Sequence, residues 1–406
     1  SEVPPRLRSV RVTGYREVRP GKAGRIEFAD AAPAVLAGAA SYRQQLAKSF
    51  DYWRARSDKS LVADLLGAQG VIVGDVNGDE LDDLYLLQPG GLPNRLFIHQ
   101  PDGTARDTSA EAGVDVLDFC RSALFIDLDN DGDQDLVLGL AWKLALMEND
   151  GEGHFTPRGS YQSEGQVNSI AAADYDNDGD LDIYLCGRDA SGAIKAEQGA
   201  LGIPMPYYDA NNGGPNTLLR NEGKFSFRDV TGEVGMNVNN RRFSLACAWE
   251  DFDNDGDVDL YVANDFGPNC LYRNDKGKFT QIAPDVGADD PSTGMSITWG
   301  DINRDGLMDA CIGNMFSAAG TRVTTQPKFE QDLTEGLDAE RIAYLARGNT
   351  LLVNQGGKLF QERSAQAGVI NTQWTWGTLF GDLDNSGGLD MMAMNGFITG
   401  PVVDDL

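Results

Sequence analysis

The chain has 406 residues, 41% of them hydrophobic, and a formal net charge of −28. That is ample for a large core, yet too long for one ordinary compact domain unless the fold repeats. The acidity makes nucleic acid a poor partner. No run of 18 apolar residues offers a membrane-crossing helix. The five cysteines, odd in number and without a CxxC pair, exclude a zinc ribbon or a dense disulfide framework.

In chain order, residues 9–13 and 25–28 read as short strands around a turn at Pro20 and Gly21. Within 40–66, Tyr42, Leu46, Phe50 and Trp53 fall at helical spacing and predict an amphipathic helix. From residue 70 a repeat takes over. Six nine-residue acidic segments start at Asp75, Asp127, Asp174, Asp251, Asp301 and Asp382, with a period of about 50 residues and two intervals lengthened by about 30. Each follows a run of small and apolar residues, as in 70–74 and 169–173, and precedes a β-type run, as in 84–87, 136–138, 183–185 and 260–262. A third run opens on Asn94, Asn216, Asn269 or Asn349, and a fourth carries a Phe such as Phe227 or Phe279. The unit is four short antiparallel strands with the acidic segment looping between the first and second.

Repetition of such a unit predicts an all-β fold, a β-propeller of four-stranded antiparallel blades. Five units are complete, ending near 118, 166, 240, 290 and 372; the sixth has two strands within 374–396. The N-terminal strands are expected to complete it, which closes the ring and removes open sheet edges. The expected organisation is one overall domain, with 1–69 as closing strands and helix, and 70–406 as repeats with insertions at 187–215 and 313–348.

The acidic segments have the chemistry of calcium loops. Calcium takes six to eight hard oxygen ligands in a compliant cage. Positions 1, 3, 5 and 9 supply side-chain oxygens: Asp75, Asn77, Asp79 and Asp83; Asp127, Asp129, Asp131 and Asp135; Asp174, Asp176, Asp178 and Asp182; Asp251, Asp253, Asp255 and Asp259; Asp301, Asn303, Asp305 and Asp309; Asp382, Asp384, Ser386 and Asp390. Position 7 offers its backbone carbonyl, and a glycine at position 6 permits the left-handed backbone that folds the loop over an ion. Magnesium, which demands strict octahedral geometry, suits the loop less well. The six segments hold 26 of the 62 acidic residues, so up to six bound calcium ions would bring the net charge to roughly −16. The loops are unequal: the first has Glu80 at position 6 and the last has Ser386 as a ligand, so these two are expected to be the weakest.

Residues 70–400 resemble FG-GAP/VCBS-type repeats of the integrin α-subunit propellers. The unit 216–221 with Phe227 to Thr231, and Trp376 and Gly377 leading into Asp382, resemble bacterial proteins related to cartilage acidic protein. The resemblance implies a seven-bladed propeller, calcium between first and second strands, an exported location and a binding role. Only six loops are visible in this sequence, and no enzyme signature carries over.

All six acidic loops share one face, so the insertions stand together on the other, where long loops are usually functional. That face gathers Arg121, Trp142, Tyr207, Tyr208, Arg242, Asp265, Phe316 and Trp374, and arginines and aromatics are the usual anchors of an interface. The first functional reading is a non-enzymatic module that binds a protein or a glycan. The alternative is a carbohydrate-active enzyme resembling a polysaccharide lyase, with Tyr207 or Tyr208 acting beside Arg121 or Arg242. The only histidines, His99 and His154, belong to a third strand and a hairpin turn, away from that face. Extracellular calcium modules work at roughly 10⁻⁴–10⁻³ M, which favours an exported protein, periplasmic, cell-surface or extracellular, with Ser1 as a processed start.

Overall fold

The computed structural model describes residues 29–49, 52–53, 55–56, 70–190, 206–326 and 338–395, with positions 204 and 329. The expected strands at 9–13 and 25–28 lie outside them. Among the described residues the fold is all-β, with five four-stranded antiparallel sheets and one two-stranded sheet. Sheet one comprises β1 (Val71–Gly74), β2 (Asp83–Leu86), β3 (Arg95–His99) and β4 (Ala105–Asp107). Sheet two has β5 (Cys120–Ile126), β6 (Asp135–Leu140), β7 (Lys143–Asn149) and β8 (Phe155–Gln162). Sheet three has β9 (Gly165–Ala173), β10 (Asp182–Ala190), β11 (Thr217–Asn221) and β12 (Phe227–Asp229). Sheet four has β13 (Ser244–Glu250), β14 (Asp259–Asn264), β15 (Cys270–Asn274) and β16 (Phe279–Gln281). Sheet five has β17 (Gly294–Gly300), β18 (Asp309–Asn314), β19 (Thr350–Asn354) and β20 (Phe360–Glu362). The last sheet pairs β21 (Thr375–Gly381) with β22 (Asp390–Asn395).

The sheets stand side by side in sequence order, β1 against β5, then β9, β13, β17 and β21, an arrangement consistent with a propeller. Glycine in the first strand allows this approach: a Cβ at Gly300 would stand 2.8 Å from the Phe380 ring of the next sheet. Second strands have apolar side chains on both faces, so β6, β10, β14 and β18 are buried along nearly their whole length. The core is accordingly divided among the gaps between sheets. Tyr85, Leu96, Phe125 and Leu136 fill the first gap, Leu146, Val167 and Ile183 the second, Tyr184, Leu218, Leu260 and Tyr272 the third, and Tyr261, Leu271, Ile312 and Phe360 the fourth. Each such side chain contributes about 1.5–3 kcal/mol when fully buried.

Asparagines pin the sheets together. At the end of the third strand in sheets two to five, the Asn149, Asn221, Asn274 and Asn354 amides donate to the position-2 carbonyl of the preceding sheet's acidic loop, at Val76, Leu128, Tyr175 and Phe252, over 2.7–2.9 Å. At the start of the third strand, Asn94, Asn216, Asn269 and Asn349 accept a backbone N–H from the end region of the second strand in four sheets, from Gln88, Gly187, Asn264 and Asn314. The two outer flanks differ. Val71 and Val73 on sheet one, and Trp376, Leu379 and Met394 on the last sheet, are large apolar side chains left exposed.

Of the helix expected in 40–66, residues 50, 51, 54 and 57–66 lie outside the described residues. The described residues form a short turn at Ala32–Val35 and a wide π-type turn at Tyr42–Leu46. Tyr42 and Leu46 do pack on sheet one, against the cluster around Phe97. The Gln45 amide donates to the Pro93 carbonyl and accepts from Arg95. Tertiary packing on sheet one, rather than helical propensity, sets the conformation here.

Candidate metal loops and the opposite face

The six acidic segments each join a first strand to a second, and all share one backbone design. The position-1 carboxylate gathers the turn: Asp174 accepts the N–H of Asp178 and of Gly179, both at 3.0 Å. Asp251, Asp301 and Asp382 repeat this with the corresponding residues. Closing the turn puts position 4 in the left-handed region, at Asn130, Asn177, Asn254, Arg304 and Asn385, and position 6 as well. Position 6 is glycine in five loops and Glu80 in the first, at φ 68°. A side chain held there costs about 1–3 kcal/mol.

Position 9 has a second task that spacing alone does not reveal. Asp135, Asp182, Asp259 and Asp309 are buried at the root of their loops. One oxygen of each accepts the N–H of loop position 2, and the other accepts the N–H of the asparagine that ends the third strand. Asp83 does the same with Val76 and His99. Burial pushes the carboxyls of Asp135 and Asp182 up to about 7 and that of Asp259 to about 8; neighbouring loop carboxylates add to this, and the backbone hydrogen bonds oppose it. Asp83 and Asp309 are raised in the same way.

Position 3 separates the loops into two kinds. Asp129, Asp176 and Asp253 each have a buried Oδ1 with no hydrogen-bond partner. Burial and the neighbouring carboxylates raise all three. Asp127 Oδ1 and Asp133 Oδ1 are orphaned too, and Asp133 is raised to about 6 by burial and then by Asp131. Buried polar atoms are almost always paired, and clustered carboxylates without a counter-charge are costly. Carboxylate oxygens of Asp127, Asp129 and Asp135, of Asp174, Asp176 and Asp182, of Asp251, Asp253 and Asp255, and of Asp382, Asp384 and Asp390 each lie within 4.8 Å of one another. A hard divalent cation fits this donor set, held by positions 1, 3, 5 and 9 with the position-7 carbonyl. In the first and fifth loops the position-3 residue is instead satisfied internally. Asn77 and Asn303 each donate to the position-5 carboxylate at 3.0 Å and accept the position-5 N–H.

Neighbouring loops also touch. Asn130 donates to Asp180 at 2.7 Å, Asn177 to Asp257 at 3.1 Å and Asn254 to the Gly306 carbonyl at 3.2 Å. Position 4 of one loop therefore reaches position 6 or 7 of the next. A further acidic group, Asp150, Glu152 and His154, lies in the turn between β7 and β8; it is exposed, and His154 rests on Asp150.

On the opposite face the expected partner residues divide into separate neighbourhoods. Arg242 is buried against Asp209 at 2.6 Å and Asn239 at 3.1 Å. Tyr207 meets the Phe266 ring edge-on at 4.8 Å, and Asp265 pairs with Arg188 at 2.9 Å. Arg341 of the second insertion reaches Asp209 at 3.7 Å and the face of Tyr208, so the two insertions do meet. Trp374 bridges through its backbone to Met315, beside Phe316, which bridges to Arg347. Arg121 donates to Asn168, and the Trp142 carbonyl accepts from Ser163 and Gln162. The tyrosines and arginines weighed for lyase chemistry are thus engaged in packing: Arg242 is spent on Asp209, and Arg121 sits on another sheet. Missed by sequence reasoning were Arg188, Asp209 and Arg341; their only signal was charge within or beside the insertions.

Comparison with known proteins agrees with the repeat. A family model for FG-GAP-like repeats matches residues 75–138, 127–185 and 251–312. Human cartilage acidic protein 1 is 33% identical over 132 residues, which is 30% of this chain and 20% of that protein. The mouse protein of the same name is 24% identical over 353 residues, 81% of this chain and 48% of its own length. The chain therefore spans about half, or less, of the curated relatives it matches. Among solved structures, the V. cholerae biofilm matrix protein Bap1 aligns with a TM-score of 0.39 at 13% identity, covering 73% of this chain and 39% of that one. An Agrocybe aegerita lectin that recognises non-reducing terminal N-acetylglucosamine aligns at 0.43 and 13%, covering 81% and 75%. These two likenesses are too low to bear on function.

Proposed function

As a chain of FG-GAP-like repeats similar to cartilage acidic protein 1, the protein is, we propose, an exported calcium-binding β-propeller that serves as a non-enzymatic binding module for a protein or a glycan. The observation that carries the calcium reading is the orphaned, buried Oδ1 of Asp129, Asp176 and Asp253 at the same loop position. Three equivalent unpaired oxygens beside further carboxylates are an expensive arrangement for a protein to repeat unless a cation completes it. Calcium serves to neutralise each loop and hold its hairpin; the chain's own carboxylates and the position-7 carbonyl supply the cage.

Closure of the ring by the N-terminal segment belongs to the same proposal. Asp30 accepts the N–H of Ala32 at 3.0 Å and leads into a helical turn, as Asp229 accepts that of Thr231 at the end of a fourth strand. The exposed flanks at Val71 and Trp376 are where closing strands would pair. A seventh blade is compatible with the same flanks. Export follows from the modest affinity expected of such loops, which extracellular calcium suffices to fill.

The binding role is supported by the two insertions, which meet through Asp209 and Arg341 on the face away from the loops. Thermal unfolding with calcium and with EDTA tests the metal reading, because a ligand that binds only the native state raises its stability. The expected result is a fall in Tm of many degrees on chelation. An unchanged Tm contradicts it.

A further inference from the structure

Two departures from the repeat meet in one place. In sheets one, three, four and five the fourth strand has three residues and leads into a helical turn. In sheet two the fourth strand, β8, has eight residues and passes almost directly into β9. The long hairpin of β7 and β8 therefore rises on the insertion face, and the first insertion returns beside it at Asn211 and Pro215. Between them lies a cavity of about 540 Å³, with Tyr161 and Glu164 on the sheet-two side and Asn211, Asp229, Asn240 and Arg241 on the sheet-three side.

We propose that this cavity is a saccharide site for an uncharged hexose or N-acetylhexosamine unit; the proposal rests on the binding-module reading and names the ligand class. The size is within the roughly 300–1,000 Å³ usual for small-molecule sites, but the walls are mostly polar rather than apolar. An apolar ligand would leave those walls unpaired, whereas each sugar hydroxyl both donates and accepts. Asn240 is buried; its amide is fixed by donation to the Asn216 carbonyl at 3.0 Å, and its Oδ1 has no hydrogen-bond partner. That makes a set acceptor in the wall. The Tyr161 hydroxyl reaches Asp229 at 3.4 Å across the gap between the sheets, which fixes the ring as a second wall. Glu164 and Arg241 form no ion pair among the described residues, so a carboxylate and a guanidinium remain for ligand hydroxyls. Charge settles the class of sugar. Two carboxylates against one guanidinium, on a chain of net charge −28, repel uronate or sulfated glycans.

The test is calorimetric titration of the full chain in calcium buffer with glucose, galactose, mannose and their N-acetylamino forms, with glucuronic acid and a sulfated hexose as charged comparators. At least one uncharged sugar is expected to bind and the charged ones not. Glu164→Gln and Arg241→Ala are each expected to weaken that binding roughly ten-fold without changing Tm. Tyr161→Phe, which keeps the wall and removes the hydroxyl, should weaken it less. Preference for a charged sugar overturns the proposal. Sugar binding unaffected by both variants also overturns it, while leaving the binding-module reading intact, since the site then lies elsewhere. If no sugar binds to folded, calcium-loaded protein, the saccharide site is wrong; whether the module binds a protein instead is then read separately by crosslinking on the insertion face.

Discussion

The two faces of the molecule are built by opposite rules. On the loop face, six segments repeat one backbone design, and even the inter-sheet contacts repeat, from Asn149 to Val76 through Asn354 to Phe252. On the insertion face almost nothing repeats: Arg242 and Arg341 converge on Asp209 while Arg188 pairs with Asp265, and one sheet alone extends its outer hairpin. Regularity marks the part that must hold sheets together, because every sheet faces the same packing problem. Irregularity marks the face that the proposed function assigns to a partner, since a partner needs one site rather than six.

If that division holds, the largest effect on stability comes from the root of a loop. Asp182→Ala removes two buried acceptors, for Tyr175 and Asn221, and is expected to cost about 2–5 kcal/mol in chemical denaturation with or without calcium. A cost below 1 kcal/mol would mean that position 9 is only a ligand.

A pH series sharpens the same point. Asp135 and Asp182 at about 7 and Asp259 at about 8 lie above the ordinary carboxylate value, so in the folded metal-free protein they hold protons that the unfolded chain releases. The stability this gives is full below about pH 4 and is lost as pH rises through 7 to 8. Metal-free protein should therefore melt higher at pH 6 than at pH 8. Calcium-loaded protein should show the reverse, because protons compete for the ligands. Parallel curves for both forms would contradict the assignment.

A smaller effect is expected at Glu80. Glu80→Gly relieves a left-handed side chain and should stabilise the first loop by about 1 kcal/mol, read as a rise in denaturation midpoint. The smallest belongs to the other face. Arg341→Ala, which breaks half-exposed pairs with Asp209 and Asp338, should change stability by about 0.5 kcal/mol or less. A large loss there would show that the insertions brace the fold rather than serve recognition.

Much of the loop face was legible in the sequence because its chemistry is local. Nine consecutive residues state the ligand set, and glycine at position 6 states the backbone. The strand order within the sheets followed from the same punctuation. What position 9 does was not legible, since the N–H it accepts from Asn221 lies 39 residues away. The asparagines that open the third strands were visible as a recurring residue; the task of those that end them, Asn149, Asn221, Asn274 and Asn354, was not, because their acceptors sit in the preceding sheet, 73 to 102 residues back. Within the segment read as a helix, Tyr42 and Leu46 pack on sheet one, a contact that helical spacing alone did not name. The cavity beside Tyr161 has walls drawn from residues that no repeat aligns. Its one sequence signal was the missing Asp-x-Thr/Ser ending after Phe155, present at Asp107 and Ser109 and at Asp229 and Thr231.

The central claim is that the orphaned carboxylates exist to hold calcium. It is tested most directly by elemental analysis of the purified chain after dialysis against calcium, set beside the triple variant Asp129→Asn, Asp176→Asn, Asp253→Asn. The account predicts several calcium ions per chain, up to six, and a loss of about three in the variant. A chain that retains no calcium, or a variant that retains as much as the parent, would contradict it.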